Sequence, residues 1–214
     1  GLNATPNIER IATEGMRFHH CYVPKSICTP SRAAILTGTY NHVNGVTTLN
    51  TPLNNRLPNV AKHLHTGGYQ TAIFGKWHLG HRQQFLPLQN GFDEYSGLIC
   101  SNDMWPVDYD GNPLSGTKKS YYPPMSFWEN NKPSEVISTL KDQGQLTKKI
   151  TERAVNFIGK NKDNPFFVML WPYTVHWPME APAPLIEKYK DRTGPGLNDT
   201  RYGAMIEAMD DAMG

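Results

Sequence analysis

The sequence predicts an α/β layered fold with a largely parallel central sheet. Two observations predict it. Apolar, strand-like runs at 69–74, 94–100 and 165–171 are separated by stretches with helical spacing, and such alternation lays helices on the faces of a parallel sheet. The residues best suited to chemistry, Cys28, Lys76, His78, Ser101 and His176, each follow a predicted strand. Ligands of such sheets bind beyond the carboxyl ends of the strands. At 214 residues the chain can hold one sizeable core or part of a larger domain.

The elements follow in order. Thr5 and Pro6 read as the cap and first turn of a helix, with Ile8, Ile11 and Ala12 as its apolar stripe and Gly15 as its end. Residues 17–23 are expected to form a short strand. A short helix follows from Cys28: Pro30 suits a first turn, and Gly38 suits a left-handed end. Residues 57–65 form a helix with Leu57, Val60, Ala61 and Leu64 inward, stopped by Gly67-Gly68. The strand at 69–74 runs into Gly75-Lys76-Trp77-His78-Leu79-Gly80, and 94–100 is another strand. Residues 104–132, rich in Pro, Gly, Asn and Tyr, read as a long ordered loop. Residues 145–158 form a helix whose apolar side is Leu146, Ile150, Ala154, Val155, Phe157 and Ile158. A buried strand at 165–171 precedes Thr174-Val175-His176-Trp177-Pro178, and helices at 185–189 and 202–213 finish the chain.

Lys and Arg number 21 against 19 Asp and Glu, a net charge of +2, so bulk charge indicates neither a nucleic-acid nor a membrane partner. No apolar run is long enough to span a bilayer. Cys21, Cys28 and Cys100 cannot all pair, and Cys28 is the one to leave free. Metal ligation finds little support. His19 and His20 would point to opposite faces of a strand, His63 and His65 do not share a helix face, and His78 with His81 is a poor zinc motif. Asp210-Asp211 looks like a metal pair but falls on a helix, where a solvated face is expected. The aromatics Trp105, Tyr109, Tyr121, Tyr122, Phe127 and Trp128 suit either a sugar or aryl subsite or simple packing.

Cys28-Thr29-Pro30-Ser31-Arg32-Ala33-Ala34-Ile35-Leu36-Thr37-Gly38 organises the chain. The free N–H groups of a helix start favour an anion and lower a nearby thiol's pKa. Arg32 adds a planar fork for a tetrahedral oxyanion. A cysteine-phosphatase loop would need Arg six positions after the Cys, where Ala34 stands. The pattern Cys-x-Pro-Ser-Arg followed by Thr-Gly instead resembles the signature of the type I sulfatases, arylsulfatase-like members of the alkaline phosphatase superfamily.

That resemblance implies an alkaline-phosphatase-like α/β/α sandwich and a sulfuric ester hydrolase. It implies that a formylglycine-generating enzyme oxidises Cys28 to formylglycine. One hydroxyl of its hydrate would attack sulfur and expel the alcohol, and loss of a proton from the other would then eliminate sulfate and regenerate the aldehyde, splitting one hard displacement into two easier steps. Gly75-Lys76-Trp77-His78-Leu79-Gly80 resembles the family's second signature, giving Lys76 a sulfate contact and His78 a hydrogen bond to the formylglycine hydroxyl. Val175-His176-Trp177-Pro178 resembles its third stretch, making His176 a sulfate-binding or leaving-group acid candidate. Ser101-Asn102-Asp103 resembles a substrate-side segment in which Ser101 is an active-site or a turn residue.

The resemblance also implies one calcium ion with Cys28, as formylglycine, among its ligands. The family's remaining ligands, an Asp-Asp pair and an Asp-Asn pair, are expected before Gly1 and after Gly214. Residues 1–214 are accordingly expected to be a partial catalytic domain without the C-terminal subdomain, inactive alone. The expected substrate is a sulfated small molecule or sulfated carbohydrate, and the expected location is periplasmic, secreted or lysosomal. A phosphate or phosphonate monoester hydrolase of the same superfamily, and a non-catalytic carbohydrate-binding relative, are the alternatives.

Overall fold

The computed structural model describes residues 3–196 and 198–214. In chain order the elements are α1 (Pro6–Glu14), α2 (Cys28–Thr37), α3 (Asn41–Asn44), α4 (Val60–Thr66), β1 (Gln70–Gly75), β2 (Glu94–Gly97), β3 (Met125–Glu129), β4 (Lys132–Ile137), α5 (Leu140–Gly144), α6 (Leu146–Asn161), β5 (Phe166–Trp171), α7 (Ala183–Tyr189) and α8 (Thr200–Met213). The strands form one sheet in the order β4-β3-β2-β1-β5. β1 is parallel to β2 on one side and to β5 on the other. β3 and β4 extend the sheet antiparallel beyond β2. The predicted α/β class holds, with a parallel centre and an antiparallel hairpin at one edge.

Strand alternation divides the side chains between two cores. From β1, Ile73 joins Ala33 and Leu36 of α2, Ala61 of α4, Trp77 and Leu79. Ala72 and Phe74 join Ile150, Ala154 and Phe157 of α6 on the other face. β5 splits the same way, with Phe167, Met169 and Trp171 packed on the first core and Phe166, Val168 and Leu170 on the second. The result is helix, sheet, helix, with the parallel strands in the middle layer.

Several expectations are corrected. Residues 17–23 form no strand, and Phe18 and Tyr22 are 73% and 84% exposed. Alternation makes no strand without an edge to pair with. Cys28 therefore follows an irregular segment rather than a strand. The expected loop at 104–132 contains β3, which turns back at Asn130, with φ at +56, into β4. Every β5 residue is partly exposed rather than buried, because nothing among the described residues pairs with its outer edge. On α6, Val155 and Ile158 face outward at 61% and 40% exposure. α4 begins at Val60 because the Asn59 side chain caps it, accepting from the Lys62 N–H at 3.0 Å.

Asp210 is not on a solvated face. It is 1% exposed, and its carboxylate accepts the N–H groups of Asn7 and Ile8 at 3.2 and 2.8 Å. Thr5 makes no side-chain cap for α1, so a carboxylate from α8 satisfies that helix start instead.

Candidate active site

The carboxyl ends of β1, β2 and β5 lie side by side, and Gly75 is their junction. Its φ is +118°, and a Cβ there would stand 1.9 Å from the Trp171 carbonyl oxygen, so only glycine lets β1 approach β5 this closely. Beyond it the ladder continues. Lys76 N–H donates to the Trp171 carbonyl at 2.9 Å, Trp77 N–H to Leu98 at 3.0 Å and His78 N–H to Ile99 at 2.9 Å. Trp77 is fully buried in the first core, and its indole N–H donates to the Phe85 carbonyl at 2.9 Å. That anchor fixes its two neighbours, which turn toward Cys28. His78 takes a left-handed φ of +54°, a conformation that costs a non-glycine residue about 1–3 kcal/mol and concentrates at functional sites.

α2 presents Cys28 in its first turn, and Ile27 before it supplies no side-chain cap. The Asn41 amide holds this helix start by donating to the Pro30 carbonyl at 2.7 Å. One turn on, the Arg32 guanidinium lies 4.7 Å over the Trp171 ring and donates to the Lys76 carbonyl at 2.6 Å. No carboxylate pairs with Arg32 among the described residues, and burial brings its pKa down to about 10.

Lys76 is 3% exposed. Its ammonium donates to Ser101 Oγ at 2.9 Å and to Cys28 Sγ at 3.4 Å. Burial, then the Arg32 charge, holds its pKa below the usual lysine range. Two buried cations with no carboxylate in ion-pair contact describe a pocket built for an anion. The Cys28 thiol responds accordingly: it is pushed down to about 5, chiefly by a hydrogen bond from His176, then by His78, with Lys76 adding to this and burial opposing it. His176 is raised in turn, chiefly by Cys28. Its Nδ1–H donates to the Trp177 carbonyl at 2.8 Å, which leaves Nε2 for the site. The Nδ1 of His78 is buried with no partner in the structure.

Cys28, His78, Ser101 and His176 line a cleft of about 670 Å³. Leu49, Pro52, Phe85, Met104 and Tyr122 supply apolar walls, and the exposed pair His81 and Arg82 lines it as well. Of the aromatics singled out in the sequence, only Tyr122 lines the cleft. Trp105 and Phe127 are core residues. Tyr109 stacks on Trp177 with 5.0 Å between rings.

A Sulfatase family model matches residues 1–214. The chain belongs to the sulfatase family. It is 36% identical over 187 residues to N-acetylglucosamine-6-O-sulfatase of Bacteroides thetaiotaomicron, covering 86% of this chain and 28% of that protein. It is 32% identical over 225 residues to N-acetylgalactosamine-6-sulfatase of Mus musculus, covering 98% of this chain and 41% of that one. A solved structure, BT4656 in complex with its substrate D-glucosamine-2-N,6-O-disulfate, superposes with a TM-score of 0.69 at 32% identity over 91% of this chain and 34% of that one. The sulfatase chain thus spans less than half the length of the curated relatives named here.

All of the residues singled out for the site, Cys28, Arg32, Lys76, His78, Ser101 and His176, meet in one place. Asp103 joins them: it lines the cleft and lies 3.9 Å from His176 Nδ1 and 3.8 Å from Lys119 Nζ. Its proximity to Ser101 was the available signal. The buried Gln143 of α5 is a positioning residue that sequence reasoning missed. Its amide donates to the Asn102 carbonyl at 2.7 Å across 41 residues of chain, and that separation left no local pattern to read. His81 is at the cleft but joins no metal cluster: among the described residues no group of three His, Cys, Asp or Glu could hold an ion. Calcium wants six or more oxygens, mostly carboxylates and carbonyls. With Arg32 and Lys76 beside Cys28, the residues present do not by themselves fit it.

Proposed function

We propose that this site belongs to a sulfuric ester hydrolase that cleaves sulfate monoesters of carbohydrates, with formylglycine made from Cys28 as its reactive group. The observation that supports this most directly is the Cys28 side chain held among Lys76, His78 and His176, with Arg32 behind. When formed, formylglycine supplies, as its hydrate, an oxygen nucleophile for sulfur and a second hydroxyl through which sulfate is released. The protein residues do the rest. Lys76, already turned toward Cys28, places positive charge where a sulfate oxygen gains negative charge. Arg32 fixes the Lys76 backbone and adds its own charge. His78, whose buried Nδ1 lacks a partner, is positioned to hold a hydroxyl at residue 28. His176, its Nδ1–H tied to Trp177, offers Nε2 to the sulfate or the leaving alcohol.

The relatives named for 6-sulfated N-acetylhexosamines point to a sulfated amino sugar as the substrate class, which suits the mixed apolar and polar cleft. A periplasmic, secreted or lysosomal place of action fits such substrates, and among the described residues no helix is long and apolar enough to cross a membrane. The test pairs mass spectrometry of the Cys28 peptide, from a host with formylglycine-generating activity, with assays on N-acetylglucosamine 6-sulfate and 6-phosphate. The expected result is the aldehyde and preferential sulfate release. A thiol alone in a host of proven activity, or a preference for phosphate, overturns the reading.

A further inference from the structure

We infer that the enzyme prefers a polyanionic glycan, with Arg82 as a specificity-determining residue that receives a second anionic group of the substrate. This rests on the sulfatase reading of the inner site and adds a second point of recognition.

The inference comes from the charges along the cleft. One carboxylate lines it, Asp103, and Lys119 stands 3.8 Å from that group. Arg82 lines the same cleft, is exposed, and has no carboxylate within ion-pair distance among the described residues. The cleft therefore carries an unmatched guanidinium, whose planar fork suits a carboxylate or a sulfate. His81 beside it supplies a further donor at the same wall.

The backbone that carries Arg82 is also held in place, which limits the freedom of its side chain. Its carbonyl accepts from the Phe85 N–H at 2.8 Å, closing the short 3-10 turn Gln83–Phe85. The Phe85 carbonyl is in turn held by the Trp77 indole at 2.9 Å and the Asn90 amide at 3.2 Å. Gly80 lets the segment lie flat against its neighbours, since a Cβ there would meet Phe85 at 2.6 Å and Pro52 at 2.9 Å. The same buried indole that sets Lys76 and His78 thus braces the turn carrying Arg82. Arg82 stands four positions after His78, which caps the distance between their Cα atoms at about 14 Å. An anionic group on a sugar next to the one bearing the scissile sulfate can span that interval.

The experiment compares two disaccharides with the enzyme modified at residue 28. Both carry N-acetylglucosamine 6-sulfate; one adds a uronate and the other a neutral hexose. The unaltered enzyme should favour the uronate compound about 10-fold or more in kcat/KM, mainly through KM, and added salt should shrink the preference. Arg82→Gln should bring the two substrates within about 3-fold, while Arg82→Lys should keep most of the preference, because a point charge suffices for part of it. The ratio is internal to each variant, so a smaller folded fraction cancels. Equal use of both disaccharides by the unaltered enzyme, or an undiminished preference in Arg82→Gln, overturns the inference while leaving the sulfatase reading intact. Failure to release sulfate from either disaccharide and from an aryl sulfate would overturn that reading and this inference with it.

Discussion

A lysine beside a cysteine and an arginine with no acid nearby define the residue scale. Lys76 and Arg32 are buried cations whose desolvation Cys28 opposes only in part, and an arriving anion would offset more of that cost. If they and His176 stabilise charge in the transition state, Lys76→Ala and His176→Ala should each lower kcat by ~10²-fold or more with the fold intact. Arg32→Lys should also be damaging, because an ammonium cannot both lie over Trp171 as a plane and reach the Lys76 carbonyl. Near-normal turnover in both alanine variants would remove these residues from the mechanism. The unmodified thiol gives a second check that needs no catalysis. Thiolate is the form that alkylates, and the Cys28 pKa is lowered from 9.0 to about 5. Alkylation of Cys28 should therefore hold a plateau from neutral pH down to about 6 and halve near pH 5, instead of falling away below the ordinary thiol value. His176→Ala should move that midpoint upward, since His176 is the largest cause of the shift.

At the scale of elements, the site is the meeting of three strand ends, and Gly75 decides whether they meet. Gly75→Ala would force a methyl to within 1.9 Å of the Trp171 carbonyl at a φ of +118°. The expected loss is more than about 2 kcal/mol of stability, read as a lower denaturation midpoint, and the Lys76 approach to Cys28 is lost with it. An unchanged midpoint would mean that β1 and β5 separate at little cost. Much of this scale was legible in the sequence. β1 and β5 are apolar on both faces and α6 carries a helical stripe, so periodicity revealed them. The segments after β1, β2 and β5 share one sheet end, which is why Lys76, Ser101 and His176 could be grouped from the sequence. What was missed depended on pairing. β4 exposes most of its residues and contains Pro133, so nothing marks it as a strand until β3 lies beside it; Asn130-Asn131 was its one local signal. Conversely, residues 17–23 had the pattern and no partner. Gln143 and Asp210 act across the fold, on Asn102 and on Asn7 and Ile8, where no spacing rule reaches.

The whole molecule combines a finished core with two open surfaces. The outer edge of β5 is unpaired among the described residues, and Met16, Phe18 and Tyr22 are 71%, 73% and 84% exposed. Unpaired strand edges and apolar surface favour self-association, so the 214-residue chain should scatter light increasingly with concentration. It should also show no tight calcium binding by titration calorimetry, having no acidic cluster among its described residues to hold the ion. Tight binding by this chain would send attention back to Asp103, Asp210 and Asp211. One further property follows from how α1 is attached. α1 buries none of its residues and is fastened to α8 by Asp210 with Asn7 and Ile8, while Asn3 just before it bonds to the Gly203 carbonyl and the Tyr189 hydroxyl. Under tension applied between residues 3 and 214, those few bonds carry the load before any strand does. α1 would peel away at low force while β1, β2 and β5 stay unloaded, so the molecule has a mechanical fuse at its margin that yields first and spares the cleft around Cys28.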